Sequence, residues 1–263
     1  MLSPKPWRVE AVMQLIAGVL ICLCLGVASI GILRQAGVAA FQSPDSFACV
    51  LVATLSFQGA TWVLMFIFLK FHGVDWRAAL GFRNKNLPGA LLLAVGVLVA
   101  ILPVVLGLQQ LSVMALEQIG WQPEDQHAVG LLVNAKSSWM RGYLALFAVV
   151  LAPVAEEFIF RGVLFRFIKQ IHSLALVRCI RQCGLPTFAW YASRRGFWRA
   201  CAWIGVSLLF ALIHVNVPTL VPLFVLALAL TWLYEKTDCL LASITVHSLF
   251  NAANLAVLFL LNQ

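Results

Sequence analysis

The sequence predicts an all-α fold, a polytopic membrane helix bundle of about seven transmembrane helices. Three observations carry this expectation. Hydrophobic residues fill 62% of the 263 positions and charged residues 11%, about half the charge of an ordinary soluble domain. Apolar runs of 18 or more residues recur along the chain, each long enough to cross ~30 Å of hydrocarbon as a helix. The net charge of +8 gathers on alternate loops. A lipid-facing segment must satisfy its own backbone, so each run is expected to be a helix. No hydrophilic block is large enough to fold alone, so 1–263 reads as a single membrane domain.

The first run, 11–33, follows Lys5 and Arg8 and carries "VAS" at 27–29, a faint cleavage site. It exceeds the roughly 7–15 residues of a signal-peptide core and reads as an uncleaved span. Runs 48–70 and 88–108 follow. None of these three holds an internal charge, so 1–110 is expected to be scaffold. A polar loop at about 109–141, with Glu117, Glu124 and Asp125, leads to four further runs, 143–168, 200–216, 218–234 and 239–261. Region 143–261 is the expected catalytic core. Trp203 and Trp232 suit headgroup level.

With the N-terminus inside, fourteen lysines and arginines face the cytoplasm and three, Arg34, Lys136 and Arg141, face out. This positive-inside bias predicts a cytoplasmic N-terminus, an outer C-terminus and a bacterial inner membrane. The inner segment 170–199 mixes five arginines with Phe188, Trp190, Tyr191, Phe197 and Trp198. Beside a bilayer that mixture suits anionic headgroups, not nucleic acid. Seven cysteines are scattered, as packing residues are, and the "CIRQC" pair at 179–183 has no second pair with which to hold a metal.

Ionisable residues inside a bilayer cost ~2.5–3.5 kcal/mol each on insertion scales. Five lie within the spans: Glu156, Glu157, Arg161, His214 and His247. Glu157 and Arg161 are four apart on one helix face and read as an internal salt bridge. Glu156 points roughly 100° away and needs a distant partner, a proton or water. At roughly 1.5 Å per residue, Glu156 and His247 lie about 15–16 Å from inner-surface cations, and His214 about 22 Å from Arg199 or about 16 Å from Trp203. They converge only if spans four, five and seven are neighbours. Asn251 shares a face with His247. Pro153 removes a helix donor three residues before Glu156, which loosens the span there.

Glutamate with histidine can hold and deprotonate water, while asparagine and a second histidine can donate to an oxyanion. That set suits amide hydrolysis. The same two histidines and carboxylate are also a zinc set, although H-E-x-x-H is absent. From the residues alone both readings stand, with no cofactor needed in the first and zinc in the second.

Three strings then match a known pattern. "EEFIFRG" resembles E-E-x-x-x-R, "FALIH" (210–214) resembles F-x-x-x-H, and "HSLFN" (247–251) resembles H-x-x-x-N. These are the ordered motifs of the CAAX-protease and bacteriocin-processing family, also called Abi. The resemblance covers about 150–255 and implies an intramembrane endopeptidase acting on a membrane-anchored peptide or protein. It implies Glu156 as the base for water, assisted by His214. It implies His247 and Asn251 at the oxyanion, and Glu157 with Arg161 as a supporting pair. Members are described both as metalloproteases and as metal-free glutamate enzymes, and the metal-free mechanism is favoured. The alternatives are a non-catalytic immunity or regulatory binding protein of the same family, and a transporter. The long basic stretch between the first two motifs departs from the family pattern.

Overall fold

The computed structural model describes residues 7–122, 127–135, 137–169 and 195–261. The described residues form helices and turns with no strand. The helices are α1 (Val9–Gln35), α2 (Phe47–Phe71), α3 (Trp76–Leu80), α4 (Leu87–Gln118), α5 (His127–Asn134), α6 (Ser138–Lys169), α7 (Arg195–Leu212), α8 (Val217–Thr237) and α9 (Leu240–Leu261).

Six of these, α1, α2, α4, α6, α8 and α9, are long and apolar enough to cross a membrane. The seventh expected span is shorter than its sequence suggested. The apolar part of α7 runs only Arg199–Leu212, roughly 21 Å of helix. It stops because Ile213 and His214 turn and Val215 takes a left-handed φ of 46°, which a β-branched residue rarely adopts. His214 therefore lies just past the helix rather than within it. Cys179, Cys183 and the basic-aromatic stretch up to residue 194 lie outside the described residues, as do Glu124, Asp125 and Lys136.

The bundle buries little and exposes much. Leu25, Ile32, Val63, Leu92 and Val99 are each at least 60% exposed, an apolar belt that matches hydrocarbon rather than water. The interior centres on α8, whose Leu226, Ala227, Leu230 and Leu233 are fully buried. Around it pack α4, α7 and α9, while α6 lies against both α7 and α9. The neighbours that the site needs are thus in place. α4, read from the sequence as scaffold, packs directly on α8 and α9.

Small residues and caps set the close approaches. A Cβ on Gly26 of α1 would lie 2.1 Å from Ser56 Oγ in the π-turn of α2, so only glycine lets those helices meet there. Helices α3, α4 and α8 begin at Asp75, Asn86 and Asn216, whose side chains accept from the backbone N–H three residues on.

An ionic network closes the end of the bundle where α6 stops and α7 starts. Glu235 of α8, 9% exposed, accepts from Arg199 Nε at 2.9 Å, Trp203 Nε1 at 2.8 Å and Lys169 Nζ. Arg166 donates to the Tyr234 hydroxyl and to Asp238. The last residue of α6 and the first turns of α7 therefore meet on one carboxylate. Read from the sequence, these cations belonged to the cytoplasmic loops; the fold gives them acids at the end of α8, Glu235 in its last turn and Asp238 just past it.

Candidate active site

The acids sit on a short regular stretch of α6 between two irregular ones. Ala152–Glu157 is α-helical, while Phe147–Leu151 before it and Phe158–Phe165 after it are π-helical. Such wide turns free backbone groups and cluster at functional sites. Pro153 makes the first one consequential. The Ala152 N–H donates to Phe147 O, one residue further back than an α-helix requires. Ala148 O thereby loses its α-helical donor, and its π-helical donor would be residue 153, a proline without N–H. The side chain of Asn251 takes that place, its Nδ2 donating to Ala148 O at 2.8 Å. The loosening expected around Pro153 is this freed carbonyl.

Glu157 is fully buried and accepts twice at one oxygen. Arg161 Nη1 donates to Oε1 at 2.8 Å, the expected i,i+4 pair. His247 Nδ1 lies 3.0 Å from the same oxygen, a contact between α9 and α6 that the sequence reading did not anticipate. Arg161, also fully buried, donates through Nη2 to Ala227 O of α8 at 3.1 Å and stacks 4.6 Å over the Phe210 ring. A charge inside hydrocarbon survives only with such partners.

The imidazole of His247 lies between the two acids. Bonded to a carboxylate that already accepts from Arg161, Nδ1 carries the ring proton, and the lone pair of a neutral ring is then on Nε2. Nε2 lies 3.8 Å from Glu156 Oε2, beyond direct hydrogen-bond range and within reach of a bridging water. The Glu156 side chain is 15% exposed. The structure thus gives Glu156 a neighbour from another span in His247.

His214 reaches the cluster another way. Its Nδ1 lies 2.7 Å from Phe210 O, and its ring tilts on Phe210 at 4.9 Å between centroids. The same phenyl ring meets His247 edge-on at 5.6 Å. Phe210, the first letter of the F-x-x-x-H motif, is thus in contact with both imidazoles and the guanidinium. Among the described residues no hydrogen bond or ion pair joins His214 to Glu156.

Glu157 Oε1 is held by a guanidinium, and no group of three metal-binding side chains is assembled among the described residues. Each histidine's Nδ1 is engaged by an oxygen, which leaves Nε2 of both rings for water, substrate or a metal.

Compared with known families, residues 138–253 match the model of the type II CAAX prenyl endopeptidase Rce1-like family. No curated protein and no solved structure gave a match. The matched region contains both acids, Arg161, both histidines and Asn251, and it bears out the resemblance seen in the three motifs.

Proposed function

Proceeding from a chain whose residues 138–253 are Rce1-like, in line with the CAAX-protease and bacteriocin-processing family, we propose that this protein hydrolyses a peptide bond in a membrane-anchored substrate. The supporting observation is the imidazole of His247 set between two glutamates, 3.0 Å from one and 3.8 Å from the other. In this reading a water lies between Glu156 Oε2 and His247 Nε2. Glu156 takes its proton as the oxygen attacks the scissile carbonyl carbon, then returns the proton to the leaving amine. His247, carrying an Nε2 proton taken up from solvent before the attack, donates that N–H to the oxyanion and keeps it through the reaction, while Nδ1 stays on Glu157. The second Nδ2 hydrogen of Asn251 is its donor for the same oxyanion. His214, with Nδ1 engaged by Phe210 O, offers Nε2 to the water or the leaving group. Glu157 and Arg161 fix the tautomer and direction of His247. No step requires a metal.

The protein spans a bilayer with its N-terminus cytoplasmic and its C-terminus outside, in a bacterial inner membrane. The 143–261 region carries the chemistry and 1–110 frames it. Substrates suited to this placement are prenylated C-terminal tails, leader peptides and membrane-anchored regulators.

The test compares wild type, Glu156→Gln and His214→Ala on a mixture of membrane-anchored peptides. Glu156→Gln is expected to lose about 10²–10⁴-fold in cleavage rate, as general-base removal does, with the fold intact by circular dichroism. Cleavage undiminished by Glu156→Gln would rule out the assignment.

A further inference from the structure

The second π-turn of α6 also offers a carbonyl to a distant side chain. Gly162 follows Arg161 directly. In an α-helix its carbonyl would accept from Arg166 N–H, but that N–H donates to Val163 O. Trp7 Nε1 instead donates to Gly162 O at 3.0 Å, in a buried contact across 155 positions. Trp7 is 2% exposed and is itself tightly placed. Its ring lies 4.9 Å from Phe68 and meets His72 edge-on at 5.1 Å. His72 Nε2 accepts from Arg8 N–H at 3.1 Å, so its Nδ1–H donates to Phe68 O at 2.8 Å. Phe68 in turn meets Phe158, the residue after Glu157, at 6.3 Å. A Cβ on Gly162 would lie 3.4 Å from Phe158 Cδ2 and 3.5 Å from Leu240 Cδ2, so the turn is closely packed on its other sides.

We propose that Trp7, outside the family-matched region, is a positioning residue for the candidate active site. Its indole N–H holds the Gly162 carbonyl, which fixes the peptide beside Arg161. Arg161 orients Glu157, and Glu157 orients His247. A buried indole N–H needs an acceptor, and Gly162 O, which the Arg166 N–H does not take, is the one it finds. The entry of α1 thereby clamps the helix that carries both acids.

The activity arm of the test rests on the endopeptidase reading, and the exchange arm does not. The full chain is prepared in lipid with benzothienylalanine at position 7, which keeps the ring shape and replaces N–H by sulfur, and as Trp7→Phe. Backbone hydrogen exchange over 158–166 is expected to quicken about tenfold in both, the scale of one lost buried hydrogen bond. The kcat for a membrane-anchored peptide is expected to fall about tenfold or more with KM within about twofold, while the sulfur variant keeps the wild-type melting temperature within a few degrees. Unchanged exchange in the sulfur variant, or faster exchange with unchanged kcat, overturns the proposal. If the wild type cleaves no anchored peptide, the endopeptidase reading fails by itself, and the exchange comparison alone decides whether Trp7 holds the turn.

Discussion

Glu157 remains buried because a guanidinium and an imidazole converge on one of its oxygens. Removing either partner leaves a charge in hydrocarbon, so the pair behaves as a unit. Arg161→Met is expected to destabilise by about 3–5 kcal/mol, the usual cost of an orphaned buried ion. Glu157→Gln with Arg161→Met together should cost less than the two single changes summed. Thermal unfolding in detergent for the four proteins measures this, and strict additivity would contradict the geometry. Glu157 and Arg161 were readable from sequence because i,i+4 spacing is a local rule. The third member, His247, was read from the sequence as an oxyanion donor with Asn251, and its contact with Glu157, 90 positions away, was not readable.

At the level of the element, α6 is a helix interrupted on purpose around its acids. Pro153 and Asn251 form one device, the first freeing Ala148 O and the second satisfying it. Asn251→Ala is therefore expected to cost about 1–3 kcal/mol in the wild type, the penalty of a buried acceptor left unpaired. In a Pro153→Ala background, residue 153 regains an N–H able to reach Ala148 O, and the cost of Asn251→Ala should shrink to under about 1 kcal/mol. A double-mutant cycle by thermal unfolding reads this coupling. At one end of the bundle, Glu235 joins α6 to α7. Glu235→Ala strips a shared acceptor from Lys169, Arg199 and Trp203. It is expected to expose the sites next to residues 169 and 199 to limited proteolysis while leaving α4 protected. An unchanged digestion pattern would count against the clamp. Sequence could not supply this role, because nothing local to Glu235 says which distant cations it will meet.

For the whole molecule, the apolar belt and the six long helices make a membrane protein. The helix α7 decides the parity of crossings. If its short apolar stretch completes a seventh passage, the termini lie on opposite faces; if it does not, they share a face. Reporters fused to either end of the full chain are expected to report a cytoplasmic N-terminus and an outer C-terminus. Reporters on the same side would reduce the crossings to six and require α7 to be a partial insertion against α8.

Composition and hydropathy alone established the class and the span order, because solvation by lipid acts on every residue and needs no partner. Three short motifs named the polar residues, because spacing within one helix fixes which of them share a face. Only the tertiary structure decided who meets whom. It set His247 beside Glu156, gave Asn251 to Ala148 O and brought Trp7 to Gly162. Those choices depend on how helices far apart in the chain rotate and pack, which no local pattern of residues encodes.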